Sequence, residues 1–401
     1  MAASDRAPFH SPLATRAEAY VMLGGAALMM TLAMGMRQNL GLFQTPASKD
    51  LGIAIADFAL AISVQQVAWG LTQPIAGVLT DKYGTRWVAL TGCLMFIAGL
   101  ALTAMAQGSG MIVVGSGVLI GAALSCTSSG VTANIAARVV APGRRTLAFG
   151  IVSAAGSVGS LVTAPLAAYI IDVDGWRAGL WAFAILALAM LPAAWMGGRA
   201  DRLPTGLPQD KALTLGGALN EARRHSGYVV MAAAYFVCGL QLVFLTTHLP
   251  TYLEACGMDR SYGATALMLI GGFNIVSSWG CGYLGDRLPK RYLLGTLYIL
   301  RSLTLGAFFL FPPTPVTVVI FAITMGVLWL GVIPLVNGLV VDIFGLRYLS
   351  TLTGIAFLSH QTGSFLGAWG GGYIFTALGS YDMAWKIGVL IGLLAGTRQL
   401  L

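Results

Sequence analysis

A short polar segment occurs twice in this chain, each time between long apolar stretches. The copies read GVLTDKYGTR at residues 77–86 and GYLGDRLPKR at residues 282–291. In each copy an aspartate follows a glycine by four positions, and basic residues complete a turn just long enough to reverse the chain. Charged turns repeated at an offset of 205 residues, in a chain with few charges, predict a duplicated membrane protein.

The composition argues against a soluble fold and favours membrane-spanning helices. Hydrophobic residues make up 57% of the 401 positions and charged residues 9%, whereas a soluble domain carries roughly 25% charged residues. A bilayer accepts helices of about 20 apolar residues, or closed barrels whose strands alternate in polarity over about ten residues. This sequence instead has long apolar runs containing Gly, Ala and Ser, which suit helix packing in lipid. We therefore predict an all-α membrane protein.

The formal net charge of +8 could indicate a nucleic-acid partner, but the positions of the basic residues argue against one. With twelve spans and the N-terminus inside, most Lys and Arg fall in the tails and cytoplasmic loops; the opposite side receives Lys49, Arg177, Arg260 and Lys386. This asymmetry indicates topology, with both termini cytoplasmic. The first 18 residues contain no apolar core of a signal peptide. The five cysteines lack metal-type spacing and are expected to be small buried residues.

Apolar runs bounded by charges or by Pro and Gly predict twelve spans. They cover residues 19–46, 56–80, 87–106, 111–136, 146–171, 177–196, 228–253, 262–284, 292–311, 316–341, 349–375 and 382–399. The polar stretch 197–227 is predicted to be a cytoplasmic linker. The chain thus divides into an N-terminal tail 1–18, a six-helix bundle 19–196, the linker, and a second six-helix bundle 228–401.

Further matches at nearly the same offset support the duplication. Pro46 and Pro250 each end the first span of a half, and the Gly-Ser pair at 159–160 recurs at 363–364. Parallel repeats of this kind occur in transporters whose site lies between the halves near the bilayer midplane. The glycines of these pairs, in spans five and eleven, are expected to allow close packing and bending.

The whole chain resembles the major facilitator superfamily. The resemblance rests on six plus six spans, a central basic loop, and the glycine–aspartate–basic turn after spans two and eight. Four segments are similar to the bacterial monocarboxylate and oxalate/formate porter-like branch: RQNLGLF at 37–43, WGLTQP at 69–74, THLPTYL at 247–253 and SHQTG at 359–363. The resemblance implies secondary transport by alternating access, with spans one, four, seven and ten lining the central cavity.

Two arginines lie inside predicted spans, whereas every acidic residue falls at a span end or in a loop. Arg37 is in span one and Arg301 in span nine. A charge in hydrocarbon is costly unless it is paired or hydrated, so a cationic interior without carboxylates indicates an anionic substrate as counter-ion. Arginine binds a carboxylate bidentately. The resemblance makes Arg37 the expected anchor, because span one lines the cavity.

The same resemblance places span nine outside the cavity, so Arg301 is expected to be mainly structural. Its expected partners are backbone carbonyls, Asn337 or His360. Contact between Arg301 and the substrate remains the alternative.

Polar residues in other spans are further candidates for the substrate site. The repeat maps the span-one arginine onto Gln241, so span seven is expected to present Gln241 and His248 across the cavity. His360 and Gln361 lie midway along span eleven, where a histidine can donate to a carboxylate or titrate near neutral pH. Asn274 in span eight is another candidate. For each, the alternative is a hydrogen bond that joins helices.

The repeated turns predict latches at the cytoplasmic ends of the helices. Asp81 and Asp286 end spans two and eight, opposite the starts of spans eleven and five. A carboxylate that faces a helix start and an arginine gains from the helix dipole and from the ion pair. We expect such latches to break during transport; alternatively, the charges only set topology. The basic residues in these gating segments are Arg86, Arg144, Arg145, Arg291 and Arg347.

Sequence motifs of other function classes are missing. There is no phosphate-binding loop, no paired catalytic carboxylates, no zinc-spaced His/Cys set and no nucleophile elbow. These gaps disfavour an enzyme or an ATP-driven pump, and no cofactor is expected. We predict a monomeric secondary transporter in a bacterial inner membrane, with lipid and a small organic anion as partners.

The coupling mode and two rival functions stay open at this stage. The anion would move by proton symport or by anion exchange. A proton would travel on His360, on His248, on an edge carboxylate such as Asp57, or on the substrate. The nearest rival is an efflux antiporter for drug-like or other small compounds, although the cavity carboxylate expected of one is missing. The other is a transporter-shaped receptor, disfavoured by the lack of a large soluble signalling domain.

Overall fold

A computed structural model describes residues 14–203, 215–259 and 261–401 of the chain. Most of the predicted tail, part of the predicted linker and Arg260 lie outside the described residues. The division of the chain into tail, bundles and linker therefore stays a prediction. The described residues form helices and no strands. This confirms the predicted all-α fold.

Six helices make up the first half. Between the fifth and sixth helices, Gly175 has φ +85°, a backbone conformation that residues with a Cβ atom rarely adopt. Gly175 interrupts the helical stretch Arg145–Leu188. The fourth helix contains a wider π-type turn at Val113–Leu119. The helices are α1 (Arg16–Gln38, continued by Leu40–Phe43 and Gln44–Leu51), α2 (Ile55–Tyr83), α3 (Thr85–Ala104), α4 (Ser109–Val139), α5 (145–174) and α6 (176–197).

The second half repeats this arrangement after a short amphipathic helix in the linker, Leu215–Arg224. Pro315 stands at the start of α10, where its missing N–H costs no helical hydrogen bond. The helices are α7 (Ser226–Ala255), α8 (Ser261–Gly285), α9 (Lys290–Leu310), α10 (Pro315–Phe344, broken near Leu330), α11 (Leu349–Leu378) and α12 (Asp382–Leu400).

Nine stretches of the described chain are long and apolar enough to cross a membrane. One of them, Pro142–Arg202, contains both α5 and α6. α11 and α12 have the necessary length but are less apolar. With these included, the described residues provide the twelve spans that the sequence predicts.

Paired glycines bring the same two helices together in each half. In the first half, a Cβ on Gly35 would lie 2.7 Å from the backbone of Gly159, and one on Gly159 would collide with the carbonyl of Thr31. In the second half, a Cβ on Gly239 would collide with the carbonyl of His360. Gly35 and Gly239 are 204 positions apart, so the α1–α5 and α7–α11 contacts are related by the repeat.

The two halves meet along α2 with α11 and along α5 with α8. A Cβ on Gly77 of α2 would collide with the carbonyl of Ser350 at the start of α11. In the same way, a Cβ added to Gly282 of α8 would lie 2.8 Å from the carbonyl of Thr146 at the start of α5. These contacts lie on the side of the molecule that carries the linker, which we call the linker side.

Candidate functional site

Arg37 lies in the last turn of α1, and its side chain is partly exposed. Its Nη2 donates to Oε1 of Gln66 on α2, at 2.6 Å, and the guanidinium carbon lies 5.1 Å from the ring centroid of Trp69. Its Nε is buried and has no hydrogen-bond partner. Among the described residues, no carboxylate pairs with Arg37. The cation thus rests on neutral groups of its own half.

Gln66 also connects Arg37 to the second half of the molecule. Nε2 of Gln361, on α11, donates to the Gln66 backbone carbonyl at 3.1 Å and lies 3.3 Å from Gln66 Oε1. The ring of Trp69 packs against Phe357 of α11, with centroids 4.6 Å apart. Helices α1, α2 and α11 therefore meet around one guanidinium.

His360 lies beside this group and is buried. Its ring is 4.7 Å from Tyr235 of α7 and nearly parallel to Phe357. Nδ1 of His360 is 3.2 Å from Oε1 of Gln361 and 3.4 Å from the hydroxyl of Ser364. The structure thus brings Arg37, Gln361 and His360 together, with Gln66 as the link.

Arg301 lies elsewhere, inside the second half, and is only 1% exposed. Its Nε donates to Gln241 Oε1 at 2.9 Å, and its Nη1 lies 3.3 Å from the sulfur of Cys238. The expected direct partners, backbone carbonyls, Asn337 or His360, are not those found. The difference arises because the long side chain of Arg301 reaches from α9 to polar groups of α7.

The structure places Gln241 differently from the position expected by symmetry. Its amide nitrogen donates to Ser302 of α9 at 3.1 Å and to the carbonyl of Gly388 on α12 at 2.8 Å. Together with the bond from Arg301, these contacts turn Gln241 toward α9 and α12 rather than across the molecule toward α1. The expected orientation is wrong because the buried arginine in its own half provides a stronger partner.

His248 and Asn274 are also placed inside the second half. Nε2 of His248 lies 2.9 Å from the carbonyl of Ala368, and Nδ1 lies 3.2 Å from the Tyr381 hydroxyl. A carbonyl only accepts, so Nε2 carries the hydrogen, and in a neutral ring Nδ1 then accepts from the tyrosine hydroxyl. Asn274 of α8 is 7% exposed, and its Oδ1 is buried without a partner.

Asp81 joins the halves on the linker side. Its carboxylate accepts from the backbone N–H groups of Ser350 and Thr351, at 3.1 and 2.7 Å, and from the Thr351 hydroxyl. Nδ2 of Asn134 on α4 donates to the same carboxylate at 3.0 Å. The N–H groups at the start of α11 have no partner within that helix, and its dipole favours an anion there.

Asp286 makes the equivalent contact at the start of α5. It accepts from the backbone N–H groups of Thr146 and Leu147, each at 2.9 Å. Burial raises the pKa of this carboxyl, against the opposing effect of the hydrogen bonds. Thr146 precedes Ser350 by 204 positions, so the two aspartate contacts are related by the repeat.

The basic residues of the predicted gating segments make other contacts. Nε of Arg145 donates to the Ala137 carbonyl, while Arg347 and Arg291 lie over the rings of the tyrosines that follow them. Arg86 lies over Trp195. The aspartates therefore meet helix starts through backbone N–H groups rather than through Arg145 or Arg347.

The sequence argument missed a third aspartate of this kind, Asp201. It accepts from the backbone N–H groups of Thr85 and Arg86, at 2.8 and 2.9 Å, and so caps α3 within the first half. Arg138 lies 3.8 Å from it. The sequence does contain an indication of this contact. Gly84, the residue before α3, has no side chain that could cap the helix, so a residue from elsewhere in the chain has to do so.

Twelve long helices in the described residues, in two related halves with polar groups where the halves meet, define a multi-pass membrane protein. The sequence model of the Major Facilitator Superfamily matches residues 23–368, and the chain belongs to this family.

Curated relatives are similar to most of the chain. Monocarboxylate transporter 13 of Rattus norvegicus is 24% identical over 86% of this chain and 78% of its own length. The oxalate:formate antiporter of Oxalobacter formigenes is 25% identical over 88% of this chain and 84% of its own length. The MFS-type transporter YcxA of Bacillus subtilis is 23% identical over 87% of each.

Solved structures share the fold at lower identity. The fucose:proton symporter FucP of E. coli superposes with a TM-score of 0.75 at 16% identity, covering 95% of this chain and 97% of its own. The proton:xylose symporter XylE has a TM-score of 0.72 at 12% identity, covering 96% and 95%. The predicted family and fold are confirmed, and the protein is a transporter of a small molecule.

Proposed function

We propose that this transporter moves a small, monocarboxylate-like organic anion across a bacterial inner membrane by alternating access. It does so together with a proton or in exchange for a second anion. In this proposal the termini and the linker side face the cytoplasm, and the protein works as a monomer surrounded by lipid. Relatives named as monocarboxylate transporters and an oxalate:formate antiporter support the substrate class.

The observation that carries the anion proposal is the environment of Arg37. This guanidinium is partly exposed, contacts neutral groups and leaves Nε without a partner. A carboxylate bound bidentately supplies an acceptor for Nε and a charge for the cation. In this proposal the indole of Trp69 forms one wall beside the anion.

The position of Gln66 provides a way for anion binding to shift the conformational equilibrium of the two halves. It accepts from Arg37 of the first half and lies within reach of Gln361 of the second half. An anion that binds Arg37 while Gln66 orients it, and that shifts this shared acceptor, therefore alters a contact between the halves. A ligand shifts a conformational equilibrium only by binding its states unequally, and this shared acceptor provides a source of such a difference.

We keep His360 and Gln361 with Arg37 as the proposed substrate contacts. Gln241, His248, Asn274 and Arg301 remain as alternatives that join helices. The aspartate latches at the starts of α5 and α11 are proposed to close the linker side in this state. The fucose transporter structure described as being in the outward conformation, with a TM-score of 0.75 over 96% of this chain, supports that state.

Replacement of Arg37 tests the proposed anchor. Arg37→Gln removes the charge and is expected to abolish uptake into proteoliposomes while the protein still folds. Arg37→Lys keeps the charge but loses the planar fork, so uptake should fall roughly tenfold or more. Arg398→Gln, at an exposed arginine of α12, is the matched control and should transport normally. Unchanged uptake by Arg37→Gln would overturn the proposal.

A ligand panel separates this function from its nearest rival. Small carboxylates should raise the unfolding temperature of the purified protein, because a ligand stabilises the state it binds, and should lose that effect in Arg37→Gln. Stabilisation by cationic dyes but by no carboxylate would favour a drug-type efflux antiporter. Binding without flux in proteoliposomes would favour a receptor.

A further inference from the structure

Cys238 of α7 lies among hydrogen-bond donors in the interior of the second half. The residue is 2% exposed, and Nη1 of Arg301 is 3.3 Å from its sulfur. The ring of His360 packs against Tyr235, three residues before Cys238 on α7, and the guanidinium of Arg301 lies over the ring of Tyr298. Sulfur is a weak acceptor as a thiol and a strong one as a thiolate. The arrangement therefore suits an anionic sulfur.

The charge of Arg301 needs a counter-ion from within the protein. The side chain is 1% exposed, and its Nη2 is buried without a partner. Its other hydrogen-bond partner, Gln241, is neutral. Among the described residues no carboxylate pairs with Arg301. A buried unpaired cation costs several kcal/mol, and unlike Arg37 this one is closed to a solute.

The surroundings of Cys238 contain few groups that can ionise. α9 provides Arg301 and Tyr298, α11 provides His360, and α7 itself provides Tyr235. α12 approaches through the carbonyl of Gly388, which is bound to Gln241. α8 and α10 meet α7 nearer its two ends, at Pro250 and Tyr228. Among the described residues, the thiol is thus the acid whose ionisable atom lies within hydrogen-bond distance of the buried guanidinium, whereas Tyr298 contacts it through its ring.

We propose that Cys238 is ionised as the counter-ion of Arg301 and that this pair is a proton-binding site linked to the anion site. On protonation the thiolate becomes a neutral thiol while Arg301 keeps its charge; release of the proton restores the pair. No electrons are transferred. Only the link to the anion site rests on the proposed function.

A series of contacts leads from the Arg301–Cys238 pair to Arg37. The ring of His360 packs against Tyr235, one turn before Cys238 on α7, and its Nδ1 is 3.2 Å from Oε1 of Gln361. Gln361 in turn contacts Gln66, which accepts from Arg37. The proton resides on the sulfur, and the two glutamines carry changes of orientation rather than the proton. Such a connection allows anion binding to change the affinity for a proton, and the reverse.

Charge replacement at Cys238 tests the pair without any substrate. Cys238→Asn should lower the unfolding temperature at neutral pH by roughly 5 °C or more, because it leaves the buried cation of Arg301 without a counter-ion. Cys238→Asp, similar in size but charged, should retain most of the wild-type stability. In an Arg301→Met background, the Cys238→Asn variant should be more stable than the Cys238→Asp variant. Greater stability of the Asn than of the Asp variant, with Arg301 present, would overturn the proposal.

Two further measurements address ionisation and linkage separately. The ultraviolet absorbance of a thiolate should be present in the wild type at neutral pH and lost in Cys238→Ser; its absence from the wild type would refute an ionised sulfur. Uptake of a carboxylate driven by a proton gradient should be lost in Cys238→Asn. Undiminished gradient-driven uptake would refute the link. Failure of the Arg37 test alone would leave the stability and absorbance results intact.

Discussion

At the residue scale, exposure separates the roles of two arginines that look alike in the sequence. Both lie in spans and neither pairs with a described carboxylate. Arg37 is partly exposed, so water or a solute can reach it, whereas Arg301 is 1% exposed and must be neutralised by its neighbours. Each cation inside a span has to be neutralised. For Arg37 we propose that a ligand does so, and for Arg301 a neighbouring group of the protein.

Gln66 is predicted to control affinity through Arg37. Gln66→Leu removes the acceptor that orients the guanidinium, a bond to a charged group worth about 1.5–3 kcal/mol. We expect the dissociation constant for the anion to rise on the order of tenfold, as measured by titration calorimetry.

The adjacent Gln65 provides a matched control for this change. Its amide donates to the Ser116 carbonyl at 2.7 Å, entirely within the first half. Gln65→Leu should lower the unfolding temperature and leave anion affinity unchanged. Equal losses of affinity in the two variants would show that Gln66 acts only through general packing.

The sequence identified which residues are unusual but not which neighbours they contact. Arg37 was predicted because a charge in a span is conspicuous, and its neighbours Gln361 and His360 were predicted because they are polar and mid-span. Gln241 was expected to face α1, yet it faces Arg301. Repeat symmetry fixes the position of a backbone, whereas the rotation of a side chain depends on which strong partner lies nearby.

At the element scale, glycine pairs set the distance between the helices that form each half. The Cβ of a residue replacing Gly159 would collide with the Thr31 carbonyl, and one replacing Gly363 would collide with the Phe236 carbonyl. Both contacts involve backbone, which cannot move aside as a side chain can. α1 with α5, and α7 with α11, therefore need glycine at these crossings.

The smallest possible substitution is predicted to disturb these crossings. Gly159→Ala or Gly363→Ala should push the paired helices apart and destabilise the protein by about 1–3 kcal/mol, seen as a smaller folded fraction in detergent. Gly24→Ala, at an exposed glycine of α1 with open space around it, is the control. It should be neutral or slightly stabilising, because alanine favours a helix more than glycine does. Equal behaviour of all three would contradict the prediction.

Helix number was predictable from the sequence, whereas irregularities within helices were not. Twelve apolar runs produced twelve helices because every backbone polar group must be bonded within its own span in lipid. The wide turn at Val113–Leu119 and the break near Leu330 leave no distinct apolar pattern in the sequence. Such features depend on packing against neighbouring helices.

At the scale of the whole molecule, the two aspartate latches form one symmetric device. Asp81 binds the start of α11, and Asp286 binds the start of α5. Each latch joins one half to the other. If the halves move as rigid bodies, neither latch can open alone, and the free energy of both contributes to closing the linker side.

Opening one latch is therefore predicted to expose the other. Asp286→Asn weakens charge-assisted bonds to α5 and should raise the rate at which a cysteine is alkylated near the Asp81 latch. Thr353→Cys provides that reporter, since Thr353 of α11 is 4% exposed. Mass spectrometry of its peptide measures the rate despite the native cysteines.

A matched control comes from the aspartate that caps a helix without joining the halves. Asp201→Asn loses similar bonds, to the start of α3 in its own half, and should leave the reporter rate unchanged. For Asp286→Asn the rate should rise on the order of tenfold, because about 1.4 kcal/mol shifts a population tenfold. A reporter that responds to Asp81→Asn but ignores Asp286→Asn would mean that the linker side opens by local fraying. Rocking of two rigid halves would then not describe this protein.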